Sequence, residues 1–398
     1  MMKPSRSLIV LLVCCVLTGI SSPLRAWEYG GHFKYVFDHT KYPEASLGSS
    51  LGGERQTGQG INSRLLFSQH QDHWGFETHY ELSALHSNSD SLQAIPDPDS
   101  RRWFDLSYVF ENDSSDLILH RLDRLSLSYT SESLVMRLGR QAVTWGNGLV
   151  FHPMDIFNPF KPVTIDKDYK TGDDMLYGQW TTSGGNDWQM IVLPRRDETG
   201  ELEQSQSSLA LKYHGLAAEA DIDIMLAQHY DQPLLGIGYS RAIGEALWRM
   251  DITQSRNDSD EGVTSFVTNV DYSWIWLGHN VYGYMEYYHN GFGQNDIGSA
   301  LDAELQKRIE RGELFVLGKN YLSAGMQIEL HPLLSFSPSW IVNLHDHGGL
   351  LPLTLIYNWQ QNLQLTLTGI ISYGDRQSEY DGYYSTGDTL NFLLAYYF

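Results

Sequence analysis

The last ten residues of the chain, 389–398, alternate between two kinds of side chain. One face is strongly apolar, and it consists of Leu390, Phe392, Leu394, Tyr396 and the terminal Phe398. Thr389, Asn391 and Ala395 lie on the opposite face, because side chains of a β-strand alternate with a period of two. Leu393 and Tyr397 are the exceptions on that face. This contrast is typical of a strand that separates lipid from a watery lumen. The edge strand of an ordinary β-sandwich is the alternative interpretation.

The same alternation recurs along the chain in segments of roughly ten residues, which is the pattern of a membrane β-barrel. Leucines alternate with Gln and Thr over 363–368, and aliphatic residues alternate with acidic ones over 218–224. Residues 248–253 and 266–274 repeat the pattern with aromatic residues on one face. The sequence therefore predicts an all-β protein, a transmembrane antiparallel barrel whose charged side chains lie mainly inside.

Short and long links between these segments alternate, and this rhythm predicts the number of strands. The short links are 183–187, 243–245, 277–280 and 360–362, and the long ones are 38–58, 88–115, 146–174, 291–318 and 375–386. Both termini then lie at the same end of the barrel, so the strand number is even. If 103–110 belongs to a long link, the count is about 18 strands. Sixteen is the alternative if the weak segment 187–195 lies outside the wall.

The amino terminus predicts export from the cytoplasm. Lys3 and Arg6 precede an apolar run from Leu8 to Ile20, and small residues follow as far as Ala26, so we expect 1–26 to be a signal peptide and 27–398 to be the barrel. Both cysteines of the chain lie in that apolar run, so the mature chain contains no disulfide. Removing the peptide leaves 24 basic against 48 acidic residues, a net charge of −24, which makes nucleic acid an unsuitable partner.

Residues 146–174 form the most unusual link. Pro153, Pro159 and Pro162 stiffen it and cannot donate hydrogen bonds to a sheet. Several large apolar side chains lie between these prolines, and they would favour aggregation if exposed to water. We therefore expect the link to fold into the barrel mouth as a constriction loop. A rigid plug or an outer cap is the alternative.

This region also carries a resemblance to a known family. The matching residues are Gly139-Arg140-Gln141, Trp145-Gly146, Pro153, Asp155 and Asn158-Pro159. They resemble an uncharacterised family of porin-type outer-membrane barrels related to the alginate-export barrels, mainly over 117–180 and again near 312–321. The resemblance implies passive passage or export of a solute, or work beside a lipid transporter. The terminal strand with Tyr396 and Phe398 likewise resembles the closing strand that the barrel-assembly machinery of Gram-negative bacteria reads.

Alternation also predicts the residues that line the lumen. The acidic candidates on the wall are Asp221, Asp223, Asp251 and Glu286. Arg124 and Arg137 fit the inner face, and a bulge at Gly139 would also turn Arg140 inward. Opposite Asp155 and Asp166 of the loop, these arginines would produce a transverse field that sorts polar solutes. Alternatively, they pair with the loop carboxylates only to fix the loop in place.

The sequence predicts one loop helix and no enzyme active site. Ser299 can cap a helix over 299–311, and Gly312 can end it. His345 and His347 are spaced like metal ligands, but a solvated turn is the better interpretation, and no nucleophile or acid pair stands near them. We therefore expect no enzyme activity, no cofactor and no metal. The predicted function is an outer-membrane channel for a polar solute; a non-conducting partner of an export or lipid-transport system is the alternative.

Overall fold

The strands pair in a single antiparallel sheet that closes on itself. In the computed structural model, which describes residues 27–89, 97–297 and 300–398, the sheet has nineteen strands. Closure joins the first strand to the last, with Phe37 opposite Phe392. The final residue completes this seam, because Phe398 and Gly31 exchange two backbone hydrogen bonds of 2.9 and 3.1 Å. The predicted signal peptide lies outside the described residues.

The elements are nineteen strands and two short helices in the described residues. The strands are β1 (Glu28–Lys41), β2 (Arg55–Gln71), β3 (Trp74–Ser87), β4 (Ser107–Asn112), β5 (Asp116–Thr130), β6 (Leu134–Gln141), β7 (Asp173–Thr181), β8 (Asp187–Leu193), β9 (Ser208–Ala217), β10 (Ala220–His229), β11 (Gln232–Ile243), β12 (Ala246–Arg256), β13 (Gly262–Trp276), β14 (His279–His289), β15 (Asn320–His331), β16 (Leu334–Asn343), β17 (Gly349–Gln360), β18 (Leu363–Tyr373) and β19 (Asp388–Tyr397). The helices are α1 (Leu47–Gly52) and α2 (Ala303–Glu310). Neither helix is long and apolar enough to cross a membrane, and no other helix of the described residues is.

Eighteen of these strands form the wall, as the sequence predicts. β4 pairs only with β5, while β3 also pairs with β5 directly, so β4 is an addition to the wall. β8 pairs with both β7 and β9, which excludes the sixteen-strand alternative. Residues 27 and 398 lie at one end, here called the lower end. The links there are tight turns such as 72–73 and 361–362, whereas the links at the upper end include 142–172 and 290–319.

The two faces of the wall differ as the alternation predicts. On β19, Leu390 is 50% exposed on the outside, whereas Asn391 is 8% exposed on the inside. On β18, Leu367 is 42% exposed and its neighbour Thr368 is 2% exposed. Large apolar side chains therefore cover the outer surface, and polar side chains line the interior, which is the arrangement of a barrel that meets lipid outside and water inside.

The upper ends of β6 and β7 leave a gap in the wall, and the segment 97–112 fills it. These two strands span only eight and nine residues. Beyond their ends, β4 extends the sheet from β5, and Arg102 forms a bridge to Arg195 next to β8. Arg196 holds the segment through the carbonyl oxygens of Arg102 and Trp103, at 2.8 Å each. The link from β3 to β5 thus completes the wall where the link between β6 and β7 turns inward.

The predicted loop helix is present but shorter than expected. α2 begins at Ala303 rather than at residue 299, because the Asp302 side chain accepts the N–H of Glu304 at 2.9 Å and caps the helix there. Ser299, the predicted cap, lies outside the described residues. Gly312 follows the helix with a φ of 72°, a left-handed conformation that suits glycine.

Candidate functional site

The link 142–172, here called the inner loop, lies inside the barrel. Its apolar side chains pack against the inner wall in two clusters. Trp145, Met154 and Phe157 contact a patch formed by β7 to β10, and Val150 and Phe151 contact a patch on β13 to β18. Phe151 stacks on Tyr288 with ring centroids 4.7 Å apart. Burying these side chains against the wall removes the apolar surface that water would otherwise meet.

Two wall carboxylates bind the first half of the inner loop through its backbone. Glu286 on β14 accepts the N–H groups of Leu149, Val150 and Phe151 at 2.6, 3.0 and 2.8 Å. Asp251 on β12 accepts the backbone N–H of Asn147 at 2.6 Å and its side-chain amide at 2.8 Å. Both carboxylates are completely buried. They face inward as predicted, but they bind the loop and leave no surface for a solute.

The second half of the inner loop binds the opposite wall through an ion-pair cluster. Lys34 on β1 donates to Asp166 at 2.7 Å and to Asp168 at 2.6 Å. The Tyr397 hydroxyl on β19 also donates to Asp168, at 2.7 Å. Tyr169 lies beneath the Arg64 guanidinium, 4.3 Å from the ring centre. Asp166 and Asp168 nevertheless keep 42% and 41% of their side-chain surface exposed, so they present charge to the lumen.

A buried ion pair inside the inner loop joins its two halves. Lys170 donates to both carboxylate oxygens of Asp155, at 2.6 and 2.7 Å. Burial raises the pKa of Asp155 to about 6, although Lys170 opposes this shift. Arg124 on β5 donates to the Lys170 carbonyl oxygen at 2.5 Å. Asp155 and Arg124 therefore fix the loop in place, which is the alternative role considered for them.

A β-bulge produces the arginine cluster around Arg124. The register of β3 and β5 shifts between His79 and Tyr80, so Asp123 and Arg124 both turn into the lumen. Asp123 accepts from Arg64 and from Arg124, at 2.7 Å each. The sequence interpretation missed Asp123, because strict alternation places it opposite Arg124. The only indication in the sequence that Asp123 faces the lumen is its position between Arg121 and Arg124.

The prediction for Arg140 is wrong. Gly139 has a φ of 123°, but the register of β5 and β6 continues unbroken to Arg140, so this side chain stays on the outer side of the wall. The segment 97–112 covers it there, and the side chain is 0% exposed. Arg140 pairs with Asp174 at 2.8 Å and with Asp99 at 2.9 Å. It holds the added segment to the wall and has no surface for a solute.

Three of the predicted residues lie in the lower lumen. Arg137 lines a cavity of about 450 Å³ with Glu77 and His79. Its contacts are weak, since Gln141 Oε1 is 3.5 Å away and the Tyr177 ring centre is 6.0 Å away. On β10, Asp221 keeps 54% of its side-chain surface exposed. Its neighbour Asp223 is mostly buried and pairs with Lys212 at 3.4 Å and with His214 at 3.0 Å.

The two histidines considered as metal ligands lie in the turn 344–348. The His345 N–H donates to Asn343 Oδ1 at 3.0 Å, and His347 has a φ of 59°, which is a turn conformation. Within 27–89, 97–297 and 300–398, no group of three or more His, Cys, Asp and Glu side chains is placed to hold a metal ion.

Solved structures share this fold, although no family model and no curated protein matches the sequence. OccAB4 of Acinetobacter baumannii is 8% identical, with 95% of this chain and 100% of that chain covered and a TM-score of 0.56. A BenF-like porin from Pseudomonas fluorescens Pf-5 is 10% identical, with 95% and 100% covered and a TM-score of 0.54. Pseudomonas aeruginosa OpdK, crystallised with vanillate, is 9% identical, with 94% and 99% covered and a TM-score of 0.51. These matches show a porin-type barrel fold; the relation to alginate-export barrels stays a prediction.

Proposed function

We propose that this protein is a channel of the Gram-negative outer membrane that lets a polar solute pass without coupled energy, and that the inner loop narrows it. The observation that carries the proposal is the loop itself, which lies within a closed barrel that is apolar outside and polar inside. Porins of this shape are channels through which solutes cross an outer membrane. The outward-facing Tyr396 and Phe398, which are 42% and 46% exposed, fit the proposed recognition by the barrel-assembly machinery.

We assign solute contact to the charged groups that keep exposed surface in the lumen. Asp166 and Asp168 supply negative charge at the inner loop, and Asp221 supplies it below. Arg137 supplies positive charge, because no carboxylate of the described residues lies within 4.0 Å of its guanidinium. The transverse field that the sequence suggests therefore has Arg137 on the wall, while Lys34 neutralises part of the loop charge.

Single-channel conductance tests the constriction. We expect a variant that lacks residues 150–170 to conduct more current per channel than the wild type, because these residues lie inside the barrel and narrow the proposed pore. A variant that lacks 198–200 serves as the control, since these residues form an exposed tip in which Glu198 keeps 85% of its side-chain surface. Equal conductance for the 150–170 deletion and the wild type would exclude a constricting role for the inner loop.

Reversal potentials in a salt gradient test the charge assignment. We expect Arg137→Ala to shift the selectivity toward cations and Asp221→Ala to shift it toward anions, because each removes one exposed lumen charge. Unchanged potentials in both variants would refute the assignment.

The second candidate function is a non-conducting partner of an export or lipid-transport system. One observation favours it: the inner loop contacts β12 and β14 through hydrogen bonds, β1 through ion pairs and β7 to β10 through packing, so it meets most of the inner circumference. Such a protein would carry no ion current in a planar bilayer as wild type. Current through the wild-type barrel would therefore exclude this candidate.

A further inference from the structure

Two cations lie side by side on the outer surface of the wall, at the upper ends of β1 and β2. Side chains at even positions of β1 face the interior, where Lys34 and Thr40 are buried, so those at odd positions face outward. Lys41, the last residue of β1, therefore faces outward, and Arg55 at the start of β2 lies directly opposite it. Both side chains are exposed. The proposed channel function gives them no role, because they lie outside the lumen.

The two cations lack a counter-charge of their own. Among residues 27–89, 97–297 and 300–398, no carboxylate oxygen lies within 4.0 Å of either one. Asp388 lies opposite Lys41 on β19, but its Oδ1 accepts the N–H and the hydroxyl of Ser372, at 2.9 and 3.0 Å. The backbone of Glu54 continues the pairing of β2 with β1, so its side chain alternates to the face opposite Arg55. Like charges directly opposite each other destabilise a strand pair, so an anion that binds both cations gains affinity.

Hydrogen-bonding side chains continue this outer polar patch below the cations. One strand pair lower, His39 Nδ1 lies 3.0 Å from the Thr57 hydroxyl oxygen. Gln59 follows on the same face; it is exposed, and its amide oxygen accepts from the Tyr35 hydroxyl at 3.3 Å. His86 lies opposite Gln59 on β3 and is also exposed. The patch therefore offers two cations above and several donors and acceptors of hydrogen bonds below.

The height of the patch matches the upper membrane interface. Tyr29 lies on the same face of β1 near the lower end and is 80% exposed, close to Phe33, which stacks on Phe398. Lys41 follows Tyr29 by twelve positions, which places it roughly 30 Å higher at about 3.3 Å per residue and a tilt of roughly 40°. The apolar band of such a barrel is about 25 Å tall, and its short turns face the periplasm, so the patch faces the outer leaflet. On β9, by contrast, the upper end presents Leu209, which is 53% exposed.

We infer that this patch binds the phosphorylated headgroup of a glycolipid in the outer leaflet. The oxygens of one phosphate accept from both the Lys41 ammonium and the Arg55 guanidinium, and its negative charge offsets their repulsion. Sugar hydroxyls both donate and accept, which suits the hydrogen-bonding side chains below the cations. The acyl chains of the same lipid lie along the apolar wall, a contact that free phosphate cannot make. The inference depends on the membrane location of the barrel and is independent of whether the barrel conducts.

Native mass spectrometry of the folded barrel tests the patch, with lipid A and the same lipid stripped of its phosphates as probes. We expect Lys41→Gln and Arg55→Gln each to weaken lipid A binding roughly fivefold, and the double variant roughly 25-fold. The stripped lipid should bind the wild type and the double variant equally, because it has no phosphate for the cations. Arg256→Gln is the matched control, since this outward-facing arginine near the upper end already pairs with Asp260 at 2.5 Å.

Equal binding of the two lipids by the wild type, or unchanged lipid A binding by the double variant, would overturn the inference. Inorganic phosphate serves as a competitor, and we expect it not to displace lipid A at equal concentration; displacement would identify free phosphate as the ligand and exclude a lipid site. The shift in gel mobility of the barrel on heating shows that each variant has folded. Single-channel conductance should be equal in the wild type and the double variant, because the patch lies outside the lumen. The lipid titration and the current therefore decide this inference and the channel proposal separately.

Discussion

Replacing Glu286 with glutamine tests whether the wall holds the inner loop through its backbone. Oε1 of Glu286 accepts the N–H groups of Val150 and Phe151, and Oε2 accepts from Leu149 and from the Asn269 amide. A glutamine keeps one oxygen, and its amide nitrogen then faces two donors that have lost their acceptor. Asn269 cannot rotate without cost, because it also donates to the Asn147 carbonyl oxygen at 3.0 Å.

The expected loss follows from these contacts. At least one buried backbone N–H loses its acceptor, and the bonds that survive lose their charge assistance, so we estimate about 3 kcal/mol. This corresponds to roughly 150-fold faster hydrogen exchange of the amides at 149–151, if exchange follows local undocking of the loop. Mass spectrometry of exchange in detergent measures it. Glu77→Gln is the matched control, since this wall glutamate contacts His79 and no residue of the inner loop.

If the amides at 149–151 exchange less than threefold faster in Glu286→Gln than in the wild type, the reasoning is refuted. It would mean that packing of Phe151 on Tyr288 and Tyr321, at centroid distances of 4.7 and 5.4 Å, holds the loop without the carboxylate.

Three other perturbations test the remaining electrostatics. Lys34→Met leaves its two loop carboxylates without a cation, so we expect a shift toward cation selectivity in reversal potentials; Lys41→Met at the upper rim is the control, and equal shifts would contradict the prediction. Arg140→Met leaves the buried Asp174 without an ion-pair partner, while Asp99 keeps Arg102, and should destabilise the barrel by about 3–5 kcal/mol, measured as unfolding in denaturant; an unchanged midpoint would disprove it. Burial and nearby lysines lower the pKa of His152 to about 4 from 6.5, so docking of the inner loop should weaken by at most about 3 kcal/mol as the pH falls through that window. The pKa of Asp155 is raised, so its protonation favours the docked loop as the pH falls and opposes the effect of His152. Proteolysis of wild type and of His152→Asn, compared between pH 7 and 4.5, isolates the contribution of the histidine. Identical pH profiles for the two proteins would refute this contribution.

The sequence predicts the wall well because lipid imposes a simple rule on it. Every wall residue faces either lipid or the interior, so a period of two assigns its side. That rule places Leu367 outside and Thr368 inside, as the structure has them. It fails where one inserted residue changes the register, since a bulge exchanges the two faces beyond it. Asp123 was missed for this reason, and Arg140 was misplaced because a bulge was expected where the register is regular.

The partners of the inward-facing groups are harder to predict than their direction. Alternation turns Glu286 inward, but its partners are backbone amides of a loop 135 to 137 positions away in the chain. Backbone N–H groups leave no trace in a sequence, because every residue other than proline has one. A carboxylate that binds a loop and one that meets a solute therefore look the same until the loop is placed.

The way the inner loop is held indicates where the selectivity of the proposed channel would reside. Its anchors differ in kind and lie on different parts of the wall: buried carboxylates on β12 and β14, an ion-pair cluster on β1 and apolar packing on β7 to β10. Undocking the whole loop would break all of them together, so the loop is a fixed wall rather than a gate. Lys170 further stabilises the docked loop, because its ion pair with Asp155 joins the second half of the loop to the first half. If the loop does not move, a solute is selected by the side chains that stay exposed. Substitutions at Arg137 or Asp221 should then change which ions pass without changing the protease resistance of the loop, whereas Glu286→Gln should change that resistance.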